Sequence, residues 1–150
     1  MVGPEVEAQA QVRHVSRMFI AAAHLRVPFF SVVLRKGYGL GAMAMTAGGF
    51  HSPLFTVAWP SGEFGAMGLE GAVRLGYRKE LEALPEGPQR EALFEQLLAQ
   101  QYDNGSAIHM AATLEIDAVI DPAQTRAWLM RGLQMQGELP QASGLAIDSW

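Results

Sequence analysis

The sequence predicts an α/β fold, in which a parallel or mixed sheet is flanked by helices. Three observations lead to this class. Predicted strands and helices alternate along the chain, as they do where strands pair in parallel. The first predicted strand, residues 29–34, reads FFSVVL, an almost unbroken apolar run typical of a strand buried on both faces. The length of 150 residues is the usual size of one domain.

Proline and glycine mark most of the predicted element boundaries. Helices are predicted over residues 5–25, 41–47, 69–84, 89–102, 106–112 and 121–136, and strands over 29–34, 54–59 and 116–120. Pro28 ends the first helix, and Pro88 suits the first turn of the fourth. Asp121-Pro122 combines an N-cap residue with proline at the first helical position, so it predicts the start of the last helix. Residues 35–41 are predicted to form a glycine loop.

The predicted domain, residues 1–136, has few strands for this fold class. Parallel strands covered by helices need neighbours on both sides, and only three or four short strands are expected here. The chain also opens almost directly into a helix. We therefore expect an incomplete unit that pairs with another chain or domain. Residues 137–150, which contain proline, glycine and serine, are expected to form an extended tail.

The composition excludes several classes of protein. There is no cysteine, which excludes disulfides, cysteine zinc sites, iron–sulfur clusters and thiol nucleophiles. No apolar run approaches the roughly 18–20 residues of a membrane-spanning helix. Residues 1–5 have neither the basic nor the apolar region of a signal peptide. We therefore expect a cytoplasmic protein that has no membrane contact.

The charges are unevenly distributed. The formal net charge is −4, but no acidic residue lies between Ala8 and Gly62, where five basic residues occur. A globally acidic chain with a basic first third fits a small anionic ligand better than a nucleic acid duplex, which needs a basic patch and a high isoelectric point. The alternative is that this asymmetry arises by chance.

Ten of the 16 glycines fall between Gly37 and Gly76. Residues 37–42 match the dinucleotide-binding pattern G-x-G-x-x-A, but two basic residues separate the strand from the glycines and no acid closes the second strand near Trp59. A phosphate-binding loop is also disfavoured, because there is no G-K-[ST]. A strand, a glycine loop and a helix can instead present backbone N–H groups that stabilise an oxyanion. The alternative is a tight turn that serves packing only.

Side chains offer few catalytic candidates. His14 and His24 lie on the polar side of the first predicted helix, and His51 and His109 lack carboxylates at metal-ligand spacing, so no metal site is expected. Glu63 is the first carboxylate after the acid-free stretch and lies beside glycines of this region. It is a candidate base, although such a residue more often caps a loop or pairs with an arginine.

Three segments resemble one known family, the biotin-dependent acyl-CoA carboxyltransferases. Residues 27–39 (VPFFSVVLRKGYG) resemble its segment "VPK-(apolar strand)-TRKAYGGAY". Residues 58–72 (AWPSGEFGAMGLEGA) are similar to "AWPxAEIAVMGxxGA", and residues 116–126 (IDAVIDPAQTR) to "IDDVIDPxxTR". The three segments have the order and spacing of the family, and the resemblance covers about residues 3–135.

The resemblance implies a crotonase-like fold of the Clp protease/crotonase superfamily, with two such halves per subunit. This chain matches the C-terminal half, which receives biotin at an interface with the acyl-CoA-binding half of a partner subunit. The implied reaction transfers a carboxyl group from carboxybiotin, held on a carrier protein, to the α-carbon of an acyl-CoA such as acetyl- or propionyl-CoA. Biotin is the implied cofactor. A biotin carboxyl carrier protein, a biotin carboxylase subunit and further copies of the chain are the implied partners.

The resemblance also implies the site residues. Backbone N–H groups of Leu40 and Gly41 form the oxyanion hole, and Gly39, Ala42, Met67 and Gly68 contact biotin. The sequence departs from the family here, since YGLGAM replaces "YGGAYD". A shift by one residue would move the donor pair to Gly41 and Ala42.

Other functions are compatible with the same segments. The first is the carboxyltransferase subunit of a sodium-pump decarboxylase, which shares the biotin half-reaction. The second is a non-catalytic oligomerisation or scaffold protein with this fold. A hydratase or isomerase of the wider crotonase family is less favoured, because no paired carboxylates occur.

Overall fold

The structure, a computed structural model, describes residues 4–135. Its helices are α1 (Pro4–Ala8), α2 (Gln11–Ala23), α3 (Gly39–Met45), α4 (Leu69–Gly76), α5 (Arg78–Glu82), α6 (Pro88–Asn104), α7 (Ala107–Ala112) and α8 (Thr125–Met135). Its strands are β1 (Phe30–Val33), β2 (Lys36–Tyr38), β3 (Phe55–Ala58), β4 (Glu63–Gly65) and β5 (Ala118–Val119). The predicted tail, residues 137–150, lies outside the described residues.

The strands form two small sheets. The larger has the order β1-β3-β5 and the smaller pairs β2 with β4. All three strand pairs are parallel. The predicted α/β class with parallel pairing is therefore confirmed.

The position of β1 differs from the prediction. β1 lies at the edge of its sheet, where Ser31 and Val33 are buried while Phe30 and Val32 are half-buried. The expectation that this strand is buried on both faces was wrong. The strand buried along its whole length is β3, because β1 and β5 flank it.

Aromatic side chains dominate the core beside the larger sheet. The rings of Phe30 and Phe55 stack with centroids 4.8 Å apart, and Trp128 of α8 meets Phe55 edge-on at 5.5 Å. Gly132 lets α8 approach this pair, since a Cβ there would stand 2.5 Å from the Phe30 ring. A second core cluster, formed around Val33, Phe64 and other buried residues, joins the two sheets.

Two predicted helices are interrupted. The first, predicted over 5–25, breaks at Ala10, whose φ of 56° is left-handed. The third, predicted over 69–84, is split at Tyr77 into α4 and α5. The start of the last helix is confirmed: the Asp121 carboxylate accepts a 2.8 Å hydrogen bond from the Ala123 N–H, although the first turn, Pro122–Gln124, is a 3₁₀ helix.

The segment predicted as a glycine loop contains a strand. β2 occupies its middle and pairs with β4, so α3 begins at Gly39 and not at Gly41. This earlier start places Leu40 and Gly41 in the first turn of the helix. Within residues 4–135, no helix has the length and apolar character needed to cross a bilayer.

Candidate active site

A sharp turn joins β2 to α3. Tyr38, the last residue of β2, has extended backbone, and Gly39 then adopts a left-handed φ of 57°. The turn lies against the segment that follows β4: a Cβ on Gly39 would stand 2.6 Å from the Ala66 carbonyl oxygen. Glycine at position 39 is therefore required both by the backbone conformation and by the space available.

The turn leaves backbone donors for other uses. The N–H groups of the first three residues of a helix have no carbonyl acceptor within that helix. In α3 these residues are Gly39, Leu40 and Gly41. The donors that the helix does not use are therefore those of residues 39–41.

These donors border a cavity of about 740 Å³. Its walls come from α2, the start of α3 and the turn that precedes α4, and they comprise Val12, Val15, Ser16, Phe19, Tyr38, Gly39, Leu40, Gly41, Ala66, Met67, Gly68 and Gly71. No carboxylate, imidazole, amine or guanidinium belongs to this lining. Polar contacts to a bound molecule would therefore come mainly from the backbone.

Five of the six residues predicted for the site lie together around this cavity: Gly39, Leu40, Gly41, Met67 and Gly68. Ala42 does not line it. Ala42 lines a second cavity of about 830 Å³ that follows β1, where Gly41 also contributes. The predicted residues come from two turns, 39–41 and 67–68. These turns are neighbours in space although 25 residues lie between them in sequence.

One wall of the cavity was not predicted. Val12, Val15 and Phe19 of α2 face the start of α3 across it. Their spacing of three or four residues is the signal that predicted an amphipathic helix. That spacing does not say whether an apolar face packs into a core or lines a cavity.

Glu63 does not line the cavity. Its carboxylate accepts a 2.7 Å hydrogen bond from the Tyr38 hydroxyl, so its observed partner is a tyrosine and not an arginine. Burial, and then the hydrogen bond with Glu63, raise the pKa of Tyr38 well above its ordinary value, which keeps the hydroxyl protonated. Within residues 4–135, no three histidine, aspartate or glutamate side chains are grouped closely enough to hold a metal ion.

Comparison with known proteins identifies the family. The family model described as "Carboxyl transferase domain" matches residues 1–143. The chain belongs to this carboxyl transferase domain family. The resemblance predicted from the three sequence segments is thereby confirmed.

Two curated relatives each match most of this chain, and the match covers about a quarter of each relative. The chain is 33% identical over 146 residues to the biotin-dependent 3-methylcrotonyl-coenzyme A carboxylase beta1 subunit of Mycobacterium tuberculosis, covering 93% of the chain and 27% of that subunit. It is 35% identical over 137 residues to the methylmalonyl-CoA carboxyltransferase 12S subunit of Propionibacterium freudenreichii subsp. shermanii, covering 89% of the chain and 25% of that subunit. The chain thus spans about a quarter of the length of these relatives.

Solved structures of carboxyltransferases also match this chain. A transcarboxylase 12S structure, described as a hexamer assembly, aligns with a TM-score of 0.82 and 30% identity over 99% of the chain and 28% of the solved chain. A single-chain, multi-domain long-chain acyl-CoA carboxylase aligns with a TM-score of 0.75 and 54% identity over 87% of the chain and 12% of that chain. The α/β arrangement seen here is therefore that of carboxyltransferase domains.

Proposed function

We propose that this carboxyltransferase domain supplies the biotin side of an active site that transfers a carboxyl group from carboxybiotin to the α-carbon of an acyl-CoA. The substrate class that we propose is acetyl- or propionyl-CoA. One observation carries the proposal: the turns from two family segments border one apolar cavity, and the helix leaves backbone donors there unused. A carboxyltransferase with this arrangement needs no side-chain nucleophile.

The cavity suits biotin by shape and by chemistry. The fused rings of biotin are largely apolar, and the α2 wall and Met67 offer apolar contact. The ureido group needs hydrogen-bond donors at its oxygen, and we assign the N–H groups of Leu40 and Gly41, which border the cavity, to this role. Gly39 and Gly68 line the cavity, and we assign both as contacts for biotin.

The chain's own part in the reaction is electrostatic. When bound, carboxybiotin supplies the carboxyl group and then a ureido nitrogen that accepts the α-proton of the acyl-CoA. The N–H groups of Leu40 and Gly41 stabilise the negative charge that develops on the ureido oxygen as the carboxyl group leaves. Donors fixed in the backbone need no reorganisation during the reaction, and this type of stabilisation is often the largest single contribution to catalysis.

The donor pair is the one obtained by aligning the family segments without a gap. The shifted pair, Gly41 and Ala42, is less suitable, because Ala42 does not line the cavity. A contact between Ala42 and biotin would require biotin to reach the second cavity.

The proposal extends to the whole assembly. We propose that the chain has the crotonase-like fold of one half of a carboxyltransferase subunit and that it works in a cytoplasmic homo-oligomer. The description of the transcarboxylase 12S structure as a hexamer assembly supports the oligomer. The partners in the reaction would be an acyl-CoA, a biotin carboxyl carrier protein and a biotin carboxylase subunit, and the biotin-dependent relatives support this set.

A titration of the full chain tests the proposed site. We expect biotin methyl ester, added to the ¹⁵N-labelled chain, to shift the amide signals of Leu40, Gly41, Met67 and Gly68. The control ligand is the methyl ester of 2-iminobiotin, which keeps both rings but has a protonated imino group in place of the ureido oxygen. It should leave the Leu40 and Gly41 signals unshifted. If biotin methyl ester shifted signals elsewhere, or none, the chain would lack this biotin site.

A further inference from the structure

We infer that Tyr38 and Glu63 are a pair of positioning residues, which hold the two turns around the cavity in one fixed geometry. This inference rests on the proposed function, since it assigns a role toward the donors of that site. Glu63 does not line the cavity proposed for biotin, and the hydroxyl of Tyr38, which does line it, donates its hydrogen bond to Glu63. Tyr38 and Glu63 act on the site through the backbone turns that follow them, residues 39–41 and residues 66–68.

The two residues precede the two turns. Tyr38 is the residue before the Gly39–Gly41 donors, and Glu63 begins β4, whose last residue, Gly65, is followed by the turn of Ala66 to Gly68. In the parallel register of β2 and β4, Tyr38 lies opposite Gly65, and Lys36 lies opposite Glu63. The hydroxyl of Tyr38 therefore reaches back along β4 to donate its 2.7 Å hydrogen bond to the Glu63 carboxylate.

The backbone pairing in this region is short. Each of the two strands has three residues, and an isolated two-stranded pair is marginally stable at best. A side-chain hydrogen bond that joins the strands contributes proportionally more here than it would in a wide sheet. Hydrogen bonds to a charged acceptor are also stronger than those between neutral groups.

The acceptor side of the pair is itself anchored. The Glu63 N–H donates to the Arg35 carbonyl at 2.7 Å, and the next N–H, that of Phe64, donates to the Gly105 carbonyl at 2.8 Å. β4 is thereby tied to the end of α6. The Tyr38 hydroxyl couples the donor turn to this anchored strand.

The same geometry separates Glu63 from catalysis. Glu63 does not line the cavity, and the Tyr38 hydroxyl occupies its Oε2 atom. Burial and the nearby carboxylate raise the pKa of Tyr38, so the hydroxyl remains a donor at neutral pH. The pair thus remains hydrogen-bonded under the conditions in which the donors are used.

The test uses the full chain with four variants. Tyr38→Phe removes the hydroxyl and keeps the ring, and Glu63→Met removes the acceptor at similar volume. Glu63→Gln keeps a side-chain oxygen that accepts from Tyr38. The matched control is Tyr102→Phe, which removes another tyrosine–glutamate hydrogen bond, to Glu70 at 3.2 Å, on an exposed surface outside the cavity.

Two readouts are measured for each variant. The first, ¹⁵N relaxation of residues 39–41 and 66–68, needs no ligand. The second is the dissociation constant for biotin methyl ester, obtained by titration. We expect Tyr38→Phe and Glu63→Met to lower the order parameters of both turns and to weaken binding about 3- to 10-fold, the scale of one net hydrogen bond. Glu63→Gln should restore most of the wild-type behaviour, and Tyr102→Phe should leave both readouts unchanged.

The outcomes separate the two proposals. If the wild-type chain binds no biotin methyl ester but the relaxation responds as expected, the positioning pair is supported and the proposed function fails. If biotin methyl ester binds and neither Tyr38→Phe nor Glu63→Met changes relaxation or affinity, the positioning pair is overturned. Equal effects of Tyr38→Phe and Tyr102→Phe would also overturn it, because the effect would then come from loss of any surface hydrogen bond.

Discussion

Gly39 and Ala66 approach each other so closely that a Cβ on Gly39 would stand 2.6 Å from the Ala66 carbonyl oxygen. This contact joins the turn after β2 to the turn after β4, two segments that belong to different parts of the sequence. The neighbouring atom is part of the backbone, so it has little freedom to move away. The cavity geometry therefore depends on the absence of a side chain at position 39.

Gly39→Ala should destabilise the fold. A left-handed φ at a non-glycine residue costs about 1–3 kcal/mol, and the contact with Ala66 adds to this cost. The matched control is Gly76→Ala, because nothing lies within 4 Å of a Cβ at that helical position. The control should be neutral or stabilising by up to about 1 kcal/mol. Urea unfolding gives the free energy of unfolding of each variant. Equal values for Gly39→Ala and Gly76→Ala would contradict the strain assigned to position 39.

Gly41→Pro should reduce carboxyl transfer about 100-fold or more in a complete carboxyltransferase that contains this segment, the scale seen when one oxyanion-hole donor is lost. Proline removes the N–H, whereas the controls Gly41→Ala and Leu40→Ala keep both donors and should change turnover little. Circular dichroism and sedimentation check that the proline variant keeps its fold and assembly. If a folded Gly41→Pro enzyme kept near-normal kcat, the donor would instead be the N–H of Gly39 or Ala42.

Alkaline pH should destabilise the chain through Tyr38. Burial and the hydrogen bond with Glu63 raise the pKa of Tyr38 above its ordinary value of 10.0. Above pH 10 the unfolded chain loses this proton and the folded chain keeps it, so the free energy of unfolding falls as pH rises. Tyr38→Phe should be less stable than wild type at pH 8 and should lose less stability between pH 10 and 11. Urea titrations at these pH values measure the free energy of unfolding of wild type and of Tyr38→Phe. If both lost the same stability between pH 10 and 11, Tyr38 would not be the group responsible.

The sequence was sufficient to predict those elements that local signals specify. Asp121-Pro122 marks the start of the last helix with a side-chain cap and a fixed φ, both local properties. The apolar run FTVA within 54–59 predicted β3, and three segments predicted the family and the residues around one cavity. The glycine that the turn after β2 requires, Gly39, can be read directly from the sequence.

Other features of the fold depend on tertiary contacts, which local sequence patterns do not reveal. β2 and β4 contain glycine at Gly37 and Gly65 and have three residues each, so no local periodicity distinguishes them from a loop. They are strands because they pair with each other. The position of β1 at a sheet edge likewise depends on which other strands are present. The first helix breaks at Ala10, and we find no local signal for this break in the sequence.

The purified chain should associate at least into dimers, through the first helix or the region 37–71. Large apolar side chains are exposed in both places, among them Val12 at 69% and Leu40 at 68%. Such surface is usually covered by a partner. Sedimentation velocity at tens of micromolar should show an oligomer that Val12→Glu weakens. Ile108→Glu, at an equally exposed position on α7, should not weaken it. A monomeric wild-type chain would refute the association.

The purified 150-residue chain should catalyse no acyl-CoA carboxylation by itself, even with free biotin or a carboxylated carrier protein. The chain spans about a quarter of the length of its relatives, and the site that we propose provides donors for one reactant, biotin. A second reactant, the acyl-CoA, must be held with its α-carbon beside the biotin nitrogen, and proximity of this kind contributes several orders of magnitude to a two-substrate reaction. The measurement is the transfer of radiolabelled carboxyl from carboxybiotin to acetyl- or propionyl-CoA, with the complete methylmalonyl-CoA carboxyltransferase 12S subunit as the positive control. If the isolated chain turned over at a rate comparable with that of the 12S subunit, one half of a carboxyltransferase subunit would be sufficient for catalysis. The proposal that the active site needs two halves would then be wrong.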